Sequence, residues 1–195
     1  MTTSIIVGGS SGLGRAVAQR FADRGDTVLI TSRTTAHADT VAGEIGGLTR
    51  GLAIDLSQPE TIAAALGDVR EVDNLVITAI KQGVNSLADF DIAAAIESVT
   101  TKLVGYTETV RALRDRFNPG ASVVLFGGLA KERPYPGSTM VTAFNSGITG
   151  LVKTLAVESH PTASMRSTRA WWETASSGAT RPSTPTWRAP LLDAS

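Results

Sequence analysis

The stretch Ile5-Ile6-Val7-Gly8-Gly9-Ser10-Ser11-Gly12-Leu13-Gly14-Arg15-Ala16-Val17-Ala18 restricts the fold more than any other part of the chain. A short β-branched run, a glycine-dense turn and an apolar-periodic helix follow one another without a break. That order predicts strand, phosphate loop and helix. Glycine at 8, 12 and 14 lets backbone N–H groups approach a pyrophosphate beside the positive end of the helix. A βα turn that uses glycine only for its backbone freedom is the plainer alternative.

The remaining chain alternates in the same way. Val17, Ala18, Phe21 and Ala22 extend the first apolar helix face, and Gly25 ends it. Further strands are expected at 27–31, 51–56, 72–79 and 121–126. Further helices are expected at 35–46, 61–66, 89–117 and 141–158. Phe90, Ala94, Val99, Leu103, Tyr106, Val110 and Leu113 keep a helical period through 89–117, which Asn118-Pro119-Gly120 closes. Ser57 is a candidate cap for the helix whose first turn holds Pro59. Five strands alternating with helices, joined by right-handed crossovers, make a Rossmann-like doubly wound parallel sheet of order 3-2-1-4-5.

With 195 residues, 42% of them hydrophobic, the chain is long enough for one domain with a proper core. Eighteen basic residues (Lys+Arg 18) balance eighteen acidic ones (Asp+Glu 18), so there is no electrostatic footprint for nucleic acid. Absent cysteine excludes disulfides and thiolate metal sites and fits a reducing cytoplasm. With His37 and His160 the only histidines, no metal centre is expected. No signal peptide is read at the start, and no apolar run is expected to span a membrane. The chain reads as soluble and cytoplasmic.

The spacing Gly-x-x-x-Gly-x-Gly resembles the cofactor loop of the short-chain dehydrogenase/reductase family, and the resemblance extends over residues 4–158. It implies that Gly8, Ser10, Ser11, Gly12, Leu13 and Gly14 cradle a dinucleotide. The family's threonine before the first glycine is Val7 here, which removes a side-chain hydrogen bond and leaves the backbone cradle. The position after the second strand selects the cofactor. An acidic residue there would bind the ribose hydroxyls of NAD, whereas a guanidinium pairs with the 2′-phosphate of NADP. Arg33, helped by Ser32 and Arg15, argues for NADP(H), against a merely solvated loop arginine. The resemblance places Asp55 and Leu56 against the adenine, although Asp55 also suits the start of a loop. Where the family continues Asn-Asn-Ala-Gly, this chain has Ile77-Thr78-Ala79-Ile80, so Ala79 alone is kept and Ile80 replaces a glycine.

Residues 150–158, Gly-Leu-Val-Lys-Thr-Leu-Ala-Val-Glu, resemble the helix that follows the family's catalytic tyrosine. That register puts the Tyr-x-x-x-Lys motif on Val141 and Asn145, the serine on Gly127-Gly128, with Gly128 the better match, and the helical asparagine on Lys102. All four positions are substituted, and valine cannot transfer a proton. Asparagine and lysine stand exchanged. Lys102 is therefore expected to bring positive charge beside the nicotinamide ribose, with Asn145 bonded to it or to the ribose; a surface lysine on an amphipathic helix is the alternative. Tyr135, near Lys131, Ser138 and Thr139, is a candidate displaced acid or a packing aromatic.

The resemblance thus implies hydride transfer between NADP(H) and a small carbonyl or alcohol. The other reading is a catalytically inactive NADP(H)-binding protein that acts as sensor or scaffold. The helices 89–117 and 141–158 resemble those of the family's four-helix interface, implying a homodimer or homotetramer with a small-molecule substrate and no nucleic-acid or membrane partner.

After the domain 1–158 the character changes. Residues 162–195 are rich in Ser, Thr, Ala, Pro and Arg, lack lysine and hold Trp171, Trp172 and Trp187. Codons permitted from the third base of His160 onward also allow Pro-His-Arg-Val-Asn-Ala-Leu-His-Pro-Gly-Val-Val-Gly-Asp-Ser, which carries the family's Arg-Val-Asn and Pro-Gly. A single-base loss near His160-Pro161 is expected, making 159–195 an irregular, out-of-frame tail and leaving the fifth strand with an open edge; a genuine disordered Ser/Thr/Pro tail is the alternative.

Overall fold

Alternation along β1 (Thr3–Val7) sets the two faces of the molecule. Ile5 and Val7 enter one buried cluster with Leu75, Ile77, Val123 and Leu125. Ile6 enters the other with Val28, Ile30 and Val76. The computed structural model describes residues 1–81, 83, 85–159 and the backbone of 163–170.

β1, β2 (Thr27–Ser32), β3 (Leu48–Ala53), β4 (Val72–Ile77), β5 (Phe117–Gly128) and β6 (Ala163–Ala170) form one parallel sheet of order β3-β2-β1-β4-β5-β6. The first five strands keep the 3-2-1-4-5 order expected of them. α1 (Gly12–Asp23) and α2 (Thr35–Ile45) supply Ala18, Val41, Ala42 and Ile45 to the cluster around Ile6. α3 (Pro59–Ala65), α5 (Gly105–Leu113) and α6 (Thr139–Glu158) cover the opposite face with Ile62, Tyr106, Val110, Leu113, Ile148, Val152 and Leu155. Buried apolar strands with helices on both sides are what a parallel sheet demands.

Several boundaries differ from the sequence expectation. β3 starts at Leu48, because Gly46 and Gly47 adopt φ of 76° and 62° and return the chain to the sheet at once. Asp55 and Leu56 therefore lie past the strand end. Ser57 does not cap α3; its N–H and hydroxyl both donate to Asp55 Oδ1, at 2.9 and 2.7 Å. The segment 89–117 is not one regular helix. Asp91 caps α4 (Ile92–Val99) by accepting from Ala94 N–H at 3.0 Å, a π turn follows at Thr100–Val104, then α5 and a 3₁₀ turn at Arg114–Arg116. Asn118-Pro119-Gly120 sits inside β5 and not after a helix: the register shifts between Val72 and Asn74, and Gly120 takes φ 83°. A bulge is where a strand tolerates proline.

α6 is 20 residues long and apolar enough, by length and composition, to cross a membrane, contrary to the expectation that no run is. Its Phe144, Ile148, Val152 and Leu155 are buried, as befits a helix covering a sheet. β6 also departs from expectation. The edge of β5, expected to be open, is paired from Ala121 to Gly128 with Ala163 to Ala170, so residues 163–170 of the stretch expected as irregular tail are strand. Backbone pairing needs no side-chain period, and the open N–H and C=O row of β5 takes up the extended segment. Trp171, Trp172, Trp187, His160 and the rest of 171–195 lie outside the described residues.

Candidate functional site

The C-terminal ends of β1 and β4 meet at the turn that carries the glycines. Gly8 has φ 86°, and a Cβ on it would lie 2.7 Å from Ala79 N. A Cβ on Gly14 would lie 2.1 Å from Gly8 O and 2.5 Å from Thr78 Oγ1, so α1 can seat on the loop only through glycine. Gly12, at φ 51°, has open space around it and is needed for its backbone alone. Ser11 occupies the N-cap position of α1 without a side-chain cap bond, and no acidic residue stands in the first turn. Ser10 and Leu13 are half-buried beside it. This cradle, which any Cβ at 8 or 14 would fill, fits the pyrophosphate of a dinucleotide.

The hydrogen bond lost with Val7 has a replacement. Gly8 N–H donates to Thr31 Oγ1 of β2 at 3.0 Å, and Thr78 Oγ1 donates to the carbonyls of Val7 and Gly8 at 3.2 and 3.3 Å. At the end of β2, Ser32 is half-buried and Arg33 exposed, with no ion pair to Arg33 among the described residues. Arg15 is not free to help it: its guanidinium pairs with Glu44 at 2.9 Å. The Leu56 side chain is in the core, so only its backbone and the Asp55 carboxylate could face an adenine. Ala79 packs on Gly8, and Ile80 is half-exposed beyond it.

Lys102 is not a surface lysine. The π turn carries it inward to 3% exposure, its Nζ donating to Tyr106 Oη at 2.7 Å and lying 4.6 Å from the Tyr106 ring centroid. Tyr106 Oη in turn donates to Ala79 O at 2.8 Å, which ties the pair to the end of β4. Burial lowers the Lys102 ammonium to about 7 and pushes the Tyr106 hydroxyl up, so the phenol stays neutral. Tyr106 was no candidate from periodicity, which reads it as core. Its four-residue spacing from Lys102 was the signal available.

Asn145, also buried, does not bond to Lys102. Its Oδ1 accepts from Gly128 N–H at 2.9 Å, at the end of β5. Val141 is half-buried one helical turn earlier. Tyr135 is 56% exposed; its backbone N–H donates to Ser138 Oγ at 2.9 Å, and its hydroxyl makes no hydrogen bond among the described residues. Lys102 and Asn145 are thus brought to neighbouring strand ends, and Tyr135 is left on the surface loop.

A model of the family described as short chain dehydrogenase matches residues 2–166. The chain belongs to the short-chain dehydrogenase family. It is 30% identical over 144 residues to sulfoacetaldehyde reductase 2 of Chromohalobacter salexigens, covering 69% of this chain and 57% of that protein. It is 28% identical over 158 residues to the 3-oxoacyl-[acyl-carrier-protein] reductase of Mus musculus, covering 78% and 67%. Among solved structures, the Brucella melitensis 3-ketoacyl-(acyl-carrier-protein) reductase complexed with NADH matches with TM-score 0.76 and 26% identity, covering 85% of this chain and 73% of that one. The chain spans 57% of the length of the first relative. Membership of this short-chain dehydrogenase family makes it an oxidoreductase-family chain with a nicotinamide-type cofactor fold.

Proposed function

We propose that this short-chain dehydrogenase uses NADP(H) and passes hydride to or from a small carbonyl or alcohol. The observation that carries the reading is the buried Lys102 amine, held by Tyr106 at the end of β4 beside the glycine cradle. When bound, the nicotinamide supplies or accepts the hydride. Gly8 to Gly14 hold the pyrophosphate, Ser32 and Arg33 receive the 2′-phosphate, Asp55 and the Leu56 backbone flank the adenine, and Ala79 borders the nicotinamide side.

Lys102 Nζ holds the mobile proton. In reduction the proton passes from Nζ to the substrate oxygen; in oxidation the neutral amine takes it back. A pKa of about 7 suits both directions near neutral pH. Lys102 receives this role over Tyr135 because its amine is fixed by a hydrogen bond and the Tyr135 hydroxyl is not. Valine at 141 and glycine at 128 favour the second reading, an NADP(H) sensor or scaffold. Exposed Ile92 and Ile96 on α4 support a homodimer or homotetramer, and the zero net charge and absent cysteine support a cytoplasmic place of work.

The test titrates NADPH and NADH against the full chain by fluorescence, then follows NADPH absorbance with short aldehydes and ketones. NADPH is expected to bind roughly tenfold tighter than NADH, and Arg33→Ala to level the two, the effect of one charge-assisted phosphate contact. Binding without consumption of any carbonyl favours the sensor. No binding overturns both readings.

A further inference from the structure

Lys102 is a buried cation without a countercharge. Its Nζ donates once, to Tyr106 Oη at 2.7 Å, and an ammonium carries three N–H donors, so two are left without an acceptor among the described residues. The carboxylates on its own helical run are committed elsewhere: Glu97 pairs with Lys81 and Glu108 with Arg111. The π turn also packs on α3 and α6. Glu60 of α3 and Lys153 and Glu158 of α6 are all exposed, and Asn145 of α6 is uncharged and accepts from Gly128 N–H. On β4, Asp73 stands near the start of the strand, bonded to Thr3 N–H and Asn118 Nδ2. Burial is accordingly the one cause that moves Lys102, downward to about 7.

A buried ammonium in this state is unfavourable, and an anion set against it is attracted strongly because little water screens the pair. Tyr106 Oη, which holds Nζ, is itself bonded to Ala79 O, so the amine stands one hydroxyl away from the end of β4. That end lies beside β1, where strand order reverses, the ligand position of open α/β sheets. Ala79 is half-buried there and Ile80 half-exposed. The two free N–H groups belong to one nitrogen, so two acceptors close together satisfy both. A plain carbonyl takes one and leaves the charge uncompensated. A carbonyl with a carboxylate on the next carbon takes both and brings the missing charge.

We infer that the substrate of this site is a small 2-oxo acid, whose carboxylate pairs with the Lys102 ammonium while its oxo oxygen takes the second free N–H. This assignment rests on the reductase reading above and names the substrate which that reading leaves general. In the reduction the oxo carbon gains the hydride of NADPH, which becomes NADP⁺, and the oxo oxygen gains the Nζ proton. The product is the 2-hydroxy acid, and the neutral amine takes its next proton from water. The carboxylate also favours the charged amine above pH 7, so the acid is loaded whenever the substrate is bound.

Oxamate presents the same oxo and carboxylate oxygens and is not reduced, so it reads the pairing without turnover. Calorimetry on the full chain saturated with NADPH, in two buffers of different ionisation enthalpy, is expected to show about half a proton taken up per oxamate at pH 7. The oxamate Kd is expected to rise about tenfold from pH 6 to pH 8, as the free site loses its proton. Lys102→Met, which keeps the stem, is expected to abolish the uptake and to weaken oxamate about tenfold or more at pH 6. In turnover, the wild type is expected to prefer pyruvate over its neutral methyl ester about tenfold or more in kcat/KM, and Lys102→Gln to lose that preference. Loss of the proton donor slows both substrates alike, so the ratio reports the pairing alone. Oxamate that does not bind or binds without proton uptake, or a wild type that reduces both substrates equally, overturns this assignment and leaves the reductase reading standing. Proton uptake on NADPH alone gives the ammonium to a cofactor phosphate and overturns it as well. Uptake with oxamate in a chain that reduces neither substrate keeps the 2-oxo acid site and overturns the hydride transfer. A chain that binds no NADPH overturns the cofactor reading and this assignment with it.

Discussion

Lys102 is held without a carboxylate; among the described residues its ammonium meets only the hydroxyl and ring of Tyr106. Burial brings it to about 7, against 10.5 for the free side chain. Between those values the unfolded chain binds more protons than the folded one, so stability rises with pH across that window. Below it both states are protonated and the full burial penalty stands. Above about pH 10 the Tyr106 phenol works the other way, because it ionises first in the unfolded chain. Lys102→Met keeps the apolar stem and removes the charge. It is expected to stabilise the protein at about pH 6 and to flatten the rise toward pH 9.5, read as urea midpoints. A variant with the wild-type slope would assign the slope to other groups. Lys102 itself is legible by matching Leu103-Val104-Gly105 to the resembled family, yet its partner is not: helical period registers Tyr106 as a core position and says nothing of its hydroxyl. Thr31 is hidden for a different reason. Its bond to Gly8 N–H depends on the β1–β2 register, which places Ile6 beside Ile30 and exists only once the sheet is assembled.

At the scale of elements, strand and helix order follows from period and punctuation, and misplacements occur where backbone geometry competes with side-chain pattern. The apolar repeat from Phe90 to Leu113 is helical throughout, but it cannot show that five residues wind as a π turn, because the widened turn changes hydrogen-bond partners and not composition. Asn118-Pro119-Gly120 carries every mark of a stop signal and is absorbed as a bulge. The glycines of the first loop divide by the same logic. Gly14→Ala drives a Cβ against the Gly8 carbonyl, and α1 must lift from the loop. The variant is expected to lose about 1–3 kcal/mol of stability and most of its NADPH affinity. Gly12→Ala meets no neighbour and is strained only by its positive φ, so about 1–2 kcal/mol is expected from torsion alone. Urea midpoints and NADPH titrations of both variants check the contrast; equal loss of cofactor affinity would show that the cradle depends on loop torsion and not on the seating of α1.

For the whole molecule, the proposed assembly rests on the exposed face of α4. Ile92 and Ile96 are 66% and 62% exposed one turn apart, and Val104 on the following π turn is 48% exposed. Apolar side chains at this spacing form a stripe, and a stripe with no covering element among the described residues marks an interaction surface. The Lys81–Glu97 ion pair flanks it, so the apolar strip has a polar rim, the anatomy of an interface. Such a face closes best on a copy of itself about a two-fold axis, because an isologous contact buries both stripes at once. Replacing both residues, Ile92→Lys with Ile96→Lys, sets like charges opposite one another across that axis. Each site is exposed in the single chain, so the fold itself should change by no more than about 0.5 kcal/mol per substitution. Sedimentation is then expected to move the double variant to the 20.3 kDa monomer while the wild type remains a dimer or tetramer. A wild type that sediments as a monomer, or a double variant that keeps the wild-type mass, would take α4 out of the interface. The same samples link assembly to the site, because the π turn that buries Lys102 directly continues α4: if partner contact holds that turn, the monomeric variant loses NADPH turnover along with its mass.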